Sequence, residues 1–386
     1  MEANEYDQVL SLGEYAFKYT LTEEEKLEKK AAMEERQINF GSFIGEQLAA
    51  KLHILPLTLF MGDEKFSFGG IAGVATWPEF RRAGHINHLL KQSFVEMKER
   101  GYSLSMLHPF LIKFYRKFGY EVTNYTYRYD LTPNDIATYH STGNCKRVTF
   151  EREKDTIKKL YEATASEYSL MMDRDDWWWR KRVISDKDTI ILYYNEAGEA
   201  LGYLIANIND SHLRVEEMVY QSTDACRALL QWVKNHDSMI DTITLIGQPN
   251  QSIAFYLDNP RIPLTKKAYF MTRIIDFAAF IKDYPYFTVE ENVQIAFQVE
   301  DIHAPWNSGN WLVTIQENHC KHVEKVDHAI DGDITFAMDI NGLTALLLGS
   351  ESLENLHRFG VIQVEEKTVK WNDITAVNET HLLDYF

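Results

Sequence analysis

One continuous stretch, residues 66–101, limits the fold more than any other part of the sequence. It begins as a β-rich run, FSFGGIAGVATW, passes through a turn, PEFRRAG, and continues with apolar residues at helical spacing. Gly101 then supplies a stop for the predicted helix. A strand that runs directly into a helix brings several backbone N–H groups, which have no partner inside the helix, to one place.

Two adjacent cations, Arg81 and Arg82, lie at the predicted first turn of this helix. The helix macrodipole favours negative charge there, and the whole chain carries a net charge of -17. Helix N-termini bind phosphate, Gly84 lets the backbone approach a ligand closely, and arginine forks match phosphate oxygens. From residue types alone, a pyrophosphate site and an exposed basic cap that balances Glu79 and Glu96 stay equally open.

The order of predicted elements occurs twice along the chain. Residues 22–130 are predicted to form a helix, a β-hairpin, a helix, a strand and further elements. Residues 151–275 are predicted to repeat this order, although the two sequences hardly match. In the second copy, residues 219–233 occupy the place of the arginine turn and contain no Pro, no paired Arg and no Gly. We therefore expect only the first copy to hold an anion. A third unit of alternating strands and short helices follows Tyr284-Pro285-Tyr286.

Composition limits the class of protein. A chain of 386 residues with 45% hydrophobic residues predicts two or three globular domains with sizeable cores. No apolar run approaches the ~18 residues that span a bilayer, and the N-terminus lacks the features of a secretion signal. Three widely spaced cysteines predict neither a disulfide framework nor a metal site. We expect a cytoplasmic protein without membrane or nucleic-acid partners, whose acidic field favours cationic ones.

The pattern V-x-x-x-P-x-x-R-R-x-G-x-I at residues 74–86 closely resembles the pyrophosphate-binding motif of the GNAT superfamily of acetyl-CoA-dependent N-acetyltransferases. A narrower resemblance, to the Eis (enhanced intracellular survival) family, extends over nearly the whole chain. It is carried by HPFLIKFYRKFGYE at 108–121, DRDDWWWRKR at 173–182 and APWNSGNW at 304–311. Both resemblances imply that the arginines of the turn face the pyrophosphate of coenzyme A.

The resemblance implies a fold class and a division into domains. The expected fold is α/β (α+β), with a GNAT acetyltransferase domain carrying the acetyl-CoA site at residues 1–148. A degenerate GNAT-like domain at residues 149–284 and a sterol carrier protein 2-like α+β domain at residues 285–386 would follow. The family resemblance also implies a homo-hexamer.

The same resemblance implies roles for individual residues. Tyr115 corresponds to the family's general acid, and the terminal carboxylate of Phe386 to its general base. Phe110 and Leu111 would lie near the coenzyme thiol, although the family often has small polar residues there. The implied coenzyme-binding residues are Val74, Ala75 and Thr76 for the acetyl and pantetheine arm, and Arg81, Arg82, Ala83, Gly84, His85, Ile86 and Asn87 for the pyrophosphate.

These roles fit the chemistry of acetyl transfer to an amine. Alkyl amines are mostly protonated at pH 7, so a carboxylate must draw off a proton, and burial raises the basicity of an α-carboxyl. The apolar C-terminal run ending at Phe386 can dock inside the protein. A phenol with a pKa near 10 can return a proton to the departing thiolate. Backbone N–H groups near residues 74–76 would polarise the thioester oxygen.

The sequence therefore predicts an acetyl-CoA-dependent N-acetyltransferase for primary amines of cationic molecules: aminoglycoside-like compounds, polyamines or lysine side chains, including lysine-bearing peptides. Asp384 is a candidate for attracting a polycationic substrate. Two alternatives are an acyltransferase for longer acyl-CoA donors and a non-catalytic coenzyme A or lipid-binding sensor. Without the resemblance, Tyr115 is a packed aromatic residue and Phe386 a hydrophobic anchor.

Overall fold

A computed structural model of the chain describes residues 1, 5–249 and 253–386. Its first unit is a mixed sheet in the order β1-β2-β3-β4-β14-β5, with β8 added along β2. Two of these strands come from later in the chain: β8 (Ser169–Met172) and β14 (Met271–Ile274). None of the described helices is both long and apolar enough to cross a membrane. The elements of the first unit are α1 (Tyr6–Phe17), α2 (Glu23–Arg36), β1 (Ile38–Ile44), β2 (Gln47–Met61), β3 (Glu64–Thr76), α3 (His85–Glu99), β4 (Leu104–Leu107), α4 (Ile112–Arg116) and β5 (Glu121–Val122).

The second unit repeats this plan around a sheet in the order β13-β6-β12-β11-β10-β9-β7. A π-helical turn, Trp179–Val183, follows α6 directly. The elements in this part of the chain are β6 (Tyr125–Leu131), β7 (Asn144–Val148), α5 (Phe150–Ala165), β8 (Ser169–Met172), α6 (Asp176–Trp178), β9 (Thr189–Tyr194), β10 (Ala200–Asn209), β11 (His212–Tyr220), α7 (Thr223–Lys234), β12 (Thr242–Gly247), β13 (Leu264–Ala268) and β14 (Met271–Ile274).

The first two sheets exchange strands, which the sequence did not predict. The segment after Tyr120 reads as one strand in the sequence, but the chain bends at Thr123 and Asn124. Both of these residues donate their backbone N–H to the carbonyl oxygen of Phe270, at 3.2 and 3.3 Å. As a result β5 stays in the first sheet and β6 enters the second, while β14 returns to lie between β4 and β5.

Helix α3 is fixed against the first sheet by close packing. Its apolar residues Leu89, Leu90 and Phe94 are completely or almost completely buried. At Gly69 on β3, an added Cβ would lie 2.2 Å from Sδ of Met97, so glycine is needed for this approach. The start of α3, where the arginine turn lies, is thereby held at the end of β3.

The third unit is a sheet in the order β17-β16-β15-β18-β19 with short helices against it. The polar edge strand β17 and the short β19 are not evident in the sequence, because exposed strands need no apolar alternation. The elements are α8 (Phe277–Lys282), β15 (Val293–Glu300), β16 (Gly309–Gln316), β17 (His319–Val326), β18 (Ile334–Asp339), α9 (Ile340–Leu347), α10 (Leu353–Arg358), β19 (Ile362–Glu366) and α11 (Trp371–Ile374).

The C-terminal tail, residues 381–386, is anchored by a buried ion-pair cluster. Arg174 donates to Asp384 at 2.9 Å and to Glu217 at 2.8 Å, and its side chain is 1% exposed. The indole Nε1 of Trp178 donates to Asp384 at 2.7 Å, and the hydroxyl of Tyr203 donates to Glu217. Asp384 therefore has a structural partner, and the prediction that it attracts a polycationic substrate is wrong.

Removal of one member of this cluster should cost far more than removal of an exposed pair. Arg174→Met leaves two buried carboxylates without their cation, so we expect a loss of about 3–5 kcal/mol or more and a clearly lower melting temperature. The matched control is Lys321→Ala, which breaks an exposed pair with Glu317 and should change stability by less than about 1 kcal/mol. Equal melting temperatures of both variants would contradict this account.

Candidate active site

A gap between β3 and β4 is the central feature of the first unit. The two strands pair in parallel from Phe68 with Leu104 as far as Ile71 with Leu107. β3 then continues, paired with β2 on its other side, as far as Thr76. Within the described residues, the edge of β3 beyond Ile71 has no strand partner on the β4 side. The predicted residues Val74, Ala75 and Thr76 lie along this open edge.

The arginine turn follows directly after this edge. Arg81 and Arg82 are both exposed, and neither takes part in an ion pair within the described residues. Glu96, which would balance them as a basic cap, pairs instead with Arg100 at 2.6 Å. The two guanidinium groups are therefore available to an external anion.

The N-terminus of α3 lacks the groups that usually satisfy a helix start. Gly84 is its N-cap residue, with φ of 88°, so no side chain caps the helix, and no acidic residue lies in the first turn. Arg82 also has a left-handed φ of 68°. The neighbouring His85 forms a hydrogen bond between its Nδ1 and the Ser42 hydroxyl at 2.8 Å, while its buried Nε2 has no hydrogen-bond partner in the described part of the chain. Ala83, Ile86 and Asn87 complete the predicted set on the same turn.

The second copy of the fold provides an internal comparison. Helix α7, the counterpart of α3, is capped by the Ser222 side chain and has Asp224 in its first turn. The gap beyond the paired part of β11 and β12 is filled by the buried side chain of Gln248, which donates to the carbonyl oxygen of Met218 at 3.2 Å. Tyr168 donates to Gln248 at 2.8 Å. The second copy thus satisfies internally the groups that the first copy leaves open.

Tyr115 lies on the α3 face of the first sheet. It is 2% exposed and belongs to the packed cluster that contains Ile71 and Leu107, the last pair before the gap. Its ring contacts those of Phe110 and Tyr120 at centroid distances of 5.3 and 6.1 Å. Burial raises the pKa of the Tyr115 phenol above its ordinary value, so the phenol stays protonated at neutral pH.

Phe110 and Leu111 lie at the entrance to α4. Phe110 is 68% exposed and Leu111 54%, and the ring of Phe110 contacts that of Phe114 at 5.2 Å. The two side chains form an open apolar surface beside Tyr115.

Phe386 lies on the opposite face of the same sheet. Its ring packs against Phe68 on β3, with a centroid distance of 5.9 Å, and against Phe270 at 4.6 Å. An added Cβ at Gly70 would lie 2.8 Å from the Phe386 ring, so glycine makes room for it. Because side chains alternate along a strand, Phe68 and Gly70 face the tail while Ile71 faces Tyr115. Tyr115 and Phe386 therefore lie on the two sides of the sheet, close to the start of the gap.

A cleft of about 890 Å³ opens beside Phe386. Its walls come from α1, α2, β2 and the π-helical turn, and the lining includes Leu57, Trp178 and His53. Both Leu57 and the Phe386 ring pack over Gly70. The ring centroids of Trp178 and Phe386 lie 6.3 Å apart. His53 packs over Gly73, on the open edge of β3. Leu57 and Trp178 thus separate the cleft from the tail, and His53 separates it from the open edge of β3.

Sequence reasoning missed this cleft. Five residues of β2 line it: Lys51, His53, Leu55 and Leu57, which alternate along the strand, and Pro56 between the last two. The bulge between Lys51 and His53 also shifts the register. Their common face is defined only when the tertiary structure places α2 and the π-helical turn over it.

Comparison with known families finds three successive domains in the chain. Residues 1–123 and residues 170–274 each match a model of an acetyltransferase (GNAT) domain, and residues 277–381 match a sterol carrier protein domain. No curated protein matches the chain. The two GNAT matches together span more than half of the residues, so the protein is a GNAT-type acyltransferase with tandem GNAT domains and a sterol-carrier-like third domain.

Solved structures share this architecture over the full length. A conserved Enterococcus faecalis protein, described as a probable N-acyltransferase, matches with a TM-score of 0.89 and 27% identity over 100% of this chain and 98% of its own. A GCN5-related N-acetyltransferase from Anabaena variabilis gives a TM-score of 0.85 and 22% identity, covering 100% and 98%. Eis1 from Mycobacterium abscessus gives 0.79 and 18%, also covering 100% and 98%. The Eis-like fold and domain content predicted from the sequence are confirmed.

Proposed function

We propose that this acyltransferase uses acetyl-CoA to acetylate a primary amine by direct transfer at the gap between β3 and β4. The observation that carries the proposal is the open edge of β3, which leads into a helix start that no described side chain caps and two arginines that form no ion pair with any described residue. GNAT domains use acetyl-CoA as co-substrate, and the second copy, where Gln248 and Ser222 fill the equivalent places, does not offer a second site.

In this proposal the coenzyme lies along the open edge. Residues 81–87 hold the pyrophosphate through the two guanidinium groups and the first N–H groups of α3. The pantetheine arm follows residues 74–76, whose backbone groups replace the missing strand partner and polarise the thioester oxygen. The acetyl group then lies in the gap, between Tyr115 on one side of the sheet and Phe386 on the other.

The two sides of the sheet suit the two proton transfers. A neutral amine attacks the thioester carbon from the cleft, the C–N bond forms, and the C–S bond breaks. The amine proton passes to the terminal carboxylate of Phe386, directly or through a water. The departing thiolate takes its proton from the Tyr115 phenol, which makes no hydrogen bond within the described residues and is kept protonated by burial.

The acceptor is a primary amine in this proposal. The cationic classes expected from the sequence, including aminoglycoside-like compounds, polyamines and lysine side chains, rest on the family resemblance and on the chain-wide net charge of -17, and the amine assays below test them. A cytoplasmic homo-hexamer is also proposed on the family resemblance. Transfer from longer acyl-CoA donors is the alternative, because the exposed surface of Phe110 and Leu111 lies beside Tyr115.

Arg82→Ala tests the pyrophosphate contact. Loss of a charge-assisted contact should weaken acetyl-CoA binding roughly 10-fold or more, measured by calorimetry, while acetyl-pantetheine, which has no pyrophosphate, should bind unchanged. The matched control is Arg100→Ala at the other end of α3, whose partner is Glu96, and it should leave both affinities unchanged. Equal losses for the two ligands would count against the assigned contact.

Extension of the chain by one glycine after Phe386 tests the terminal carboxylate. The extension moves the carboxylate away from its site, so turnover should fall by about 100-fold or more, while calorimetry should show unchanged acetyl-CoA affinity. An equal extension before Met1 is the control and should leave turnover unchanged. Full turnover in the extended protein would overturn the role of Phe386, and a protein that binds acetyl-CoA but acetylates no amine in any form would favour a sensor.

A further inference from the structure

The cleft beside Phe386 carries a local charge opposite to that of the whole chain. Its lining contains more cations than carboxylates, although the chain has a net charge of -17. The cations are Lys29, Arg36, Lys51, Lys181 and Arg182, and the carboxylates are Glu28 and Glu35.

Two of these cations have carboxylate partners at the rim. Arg36 pairs with Asp175 at 2.8 Å, and Lys181 pairs with Glu28 at 3.5 Å. The other three cations, described next, have no ion-pair partner among the residues that the structure describes. Glu35, the remaining carboxylate of the lining, is exposed.

The three unpaired cations are held by neutral groups. Lys29 Nζ lies over the ring of Tyr19, 4.2 Å from its centroid, and Lys51 Nζ donates to the carbonyl oxygen of Val9 at 2.8 Å. The Arg182 guanidinium lies over the ring of Trp178 at 5.7 Å. These contacts fix the positions of the charges, and only Lys29 also has carboxylates, Glu25 and Glu14, acting on it from nearby among the described residues.

Lys29 and Lys51 converge on one place. A Cβ added at Gly13 of α1 would lie 2.6 Å from the Tyr19 hydroxyl oxygen and 3.1 Å from Lys51 Nζ. The ring that supports Lys29 and the ammonium group of Lys51 therefore lie side by side at the backbone of α1.

Lys29 is repelled by both other cations: burial and the charge of Arg182 lower the pKa of Lys29, and the carboxylates of Glu25 and Glu14 act in the opposite direction. Burial, together with the charge of Lys29, lowers the pKa of Lys51 to about 8. Burial and the charges of Lys51, Arg182 and Lys29 lower the pKa of His53 to about 3, so this imidazole is neutral at pH 7. An anion placed among the cations would relieve this repulsion.

We propose that the acceptor amine carries an anionic group, a carboxylate or a phosphate, which Lys29, Lys51 and Arg182 bind in the cleft. The inference rests on the proposed acetyl transfer and names its substrate class. Arg182 lies over Trp178, and Trp178 contacts the Phe386 ring, so one side chain separates an anion bound at Arg182 from the tail. A volume of about 890 Å³ suits a small molecule.

This class differs from the cationic acceptor that the net charge favours. The field of distant surface charges is screened over about 8 Å at physiological ionic strength, whereas groups lining the cleft contact the ligand directly. The local lining therefore decides the acceptor, and the chain-wide charge does not.

The test is a set of matched amines incubated with acetyl-CoA and the full-length protein, with product mass and thiol release as readouts. The pairs are β-alanine against propylamine and phosphoethanolamine against ethanolamine, with putrescine as the cationic amine. We expect kcat/KM at least 10-fold higher for one anionic member than for its neutral partner. The pair that shows this difference distinguishes a carboxylate from a phosphate.

Charge variants assign the effect to the cleft. Arg182→Gln should raise KM for the preferred anionic amine about 10-fold with little change in kcat, and Arg182→Glu should shift preference towards putrescine. Lys181→Gln, at the adjacent position but paired with Glu28, is the matched control and should leave KM unchanged. Unchanged acetyl-CoA affinity in all three variants shows that they fold.

The outcomes separate this inference from the proposed function. Acetylation of putrescine or of the neutral amines in preference to the anionic ones, unaffected by Arg182→Gln, would overturn the inference and leave acetyl transfer intact. No acetylated product from any amine, despite acetyl-CoA binding, would overturn the proposed function itself.

Discussion

The position of the last residue depends on one buried interaction, the contact of Arg174 with Asp384 and Glu217. Burial raises the pKa of the Asp384 carboxyl, and the Arg174 guanidinium opposes that shift. A buried cation shared by two carboxylates requires a defined geometry. Here these three residues join the segment before α6, strand β11 of the second unit and the tail. The tail then places the Phe386 ring over Gly70, next to the gap in the first sheet.

The tandem arrangement explains how one copy of the fold is open and the other closed. Both copies contain parallel strands that separate after a short paired segment. In the second copy Gln248 and the capping side chain of Ser222 satisfy the groups exposed by this separation. In the first copy no described residue satisfies these groups in this way, and the exchanged strand β14 ties the open sheet to the closed one. The second copy thus supports the site without carrying one.

The sequence predicted those features that depend on local pattern. The turn at residues 81–84 is local, because Gly84 and the two adjacent arginines are close neighbours in the sequence. The structure places all three at the start of α3. The domain content and the Eis-like architecture followed from motifs spread over the chain, and both are confirmed.

Other features depend on contacts between distant residues and could not be predicted. The exchange of β6 and β14 is set by the bend at Thr123 and Asn124, whose partner, Phe270, is far away in sequence. Asp384 appears in the sequence as one acidic residue in an acidic chain, and only the fold brings Arg174 to it. The basic lining of the cleft combines α2, β2 and the π-helical turn, so no single segment shows it.

A crystal structure of the complex with coenzyme A tests the central claim most directly. The account predicts the pyrophosphate at residues 81–87, the pantetheine arm along residues 74–76, and the thiol at the gap between the Tyr115 phenol and the Phe386 carboxylate. Coenzyme bound elsewhere, with the open edge of β3 vacant, would contradict it. So would a Phe386 carboxylate that points away from the gap into solvent.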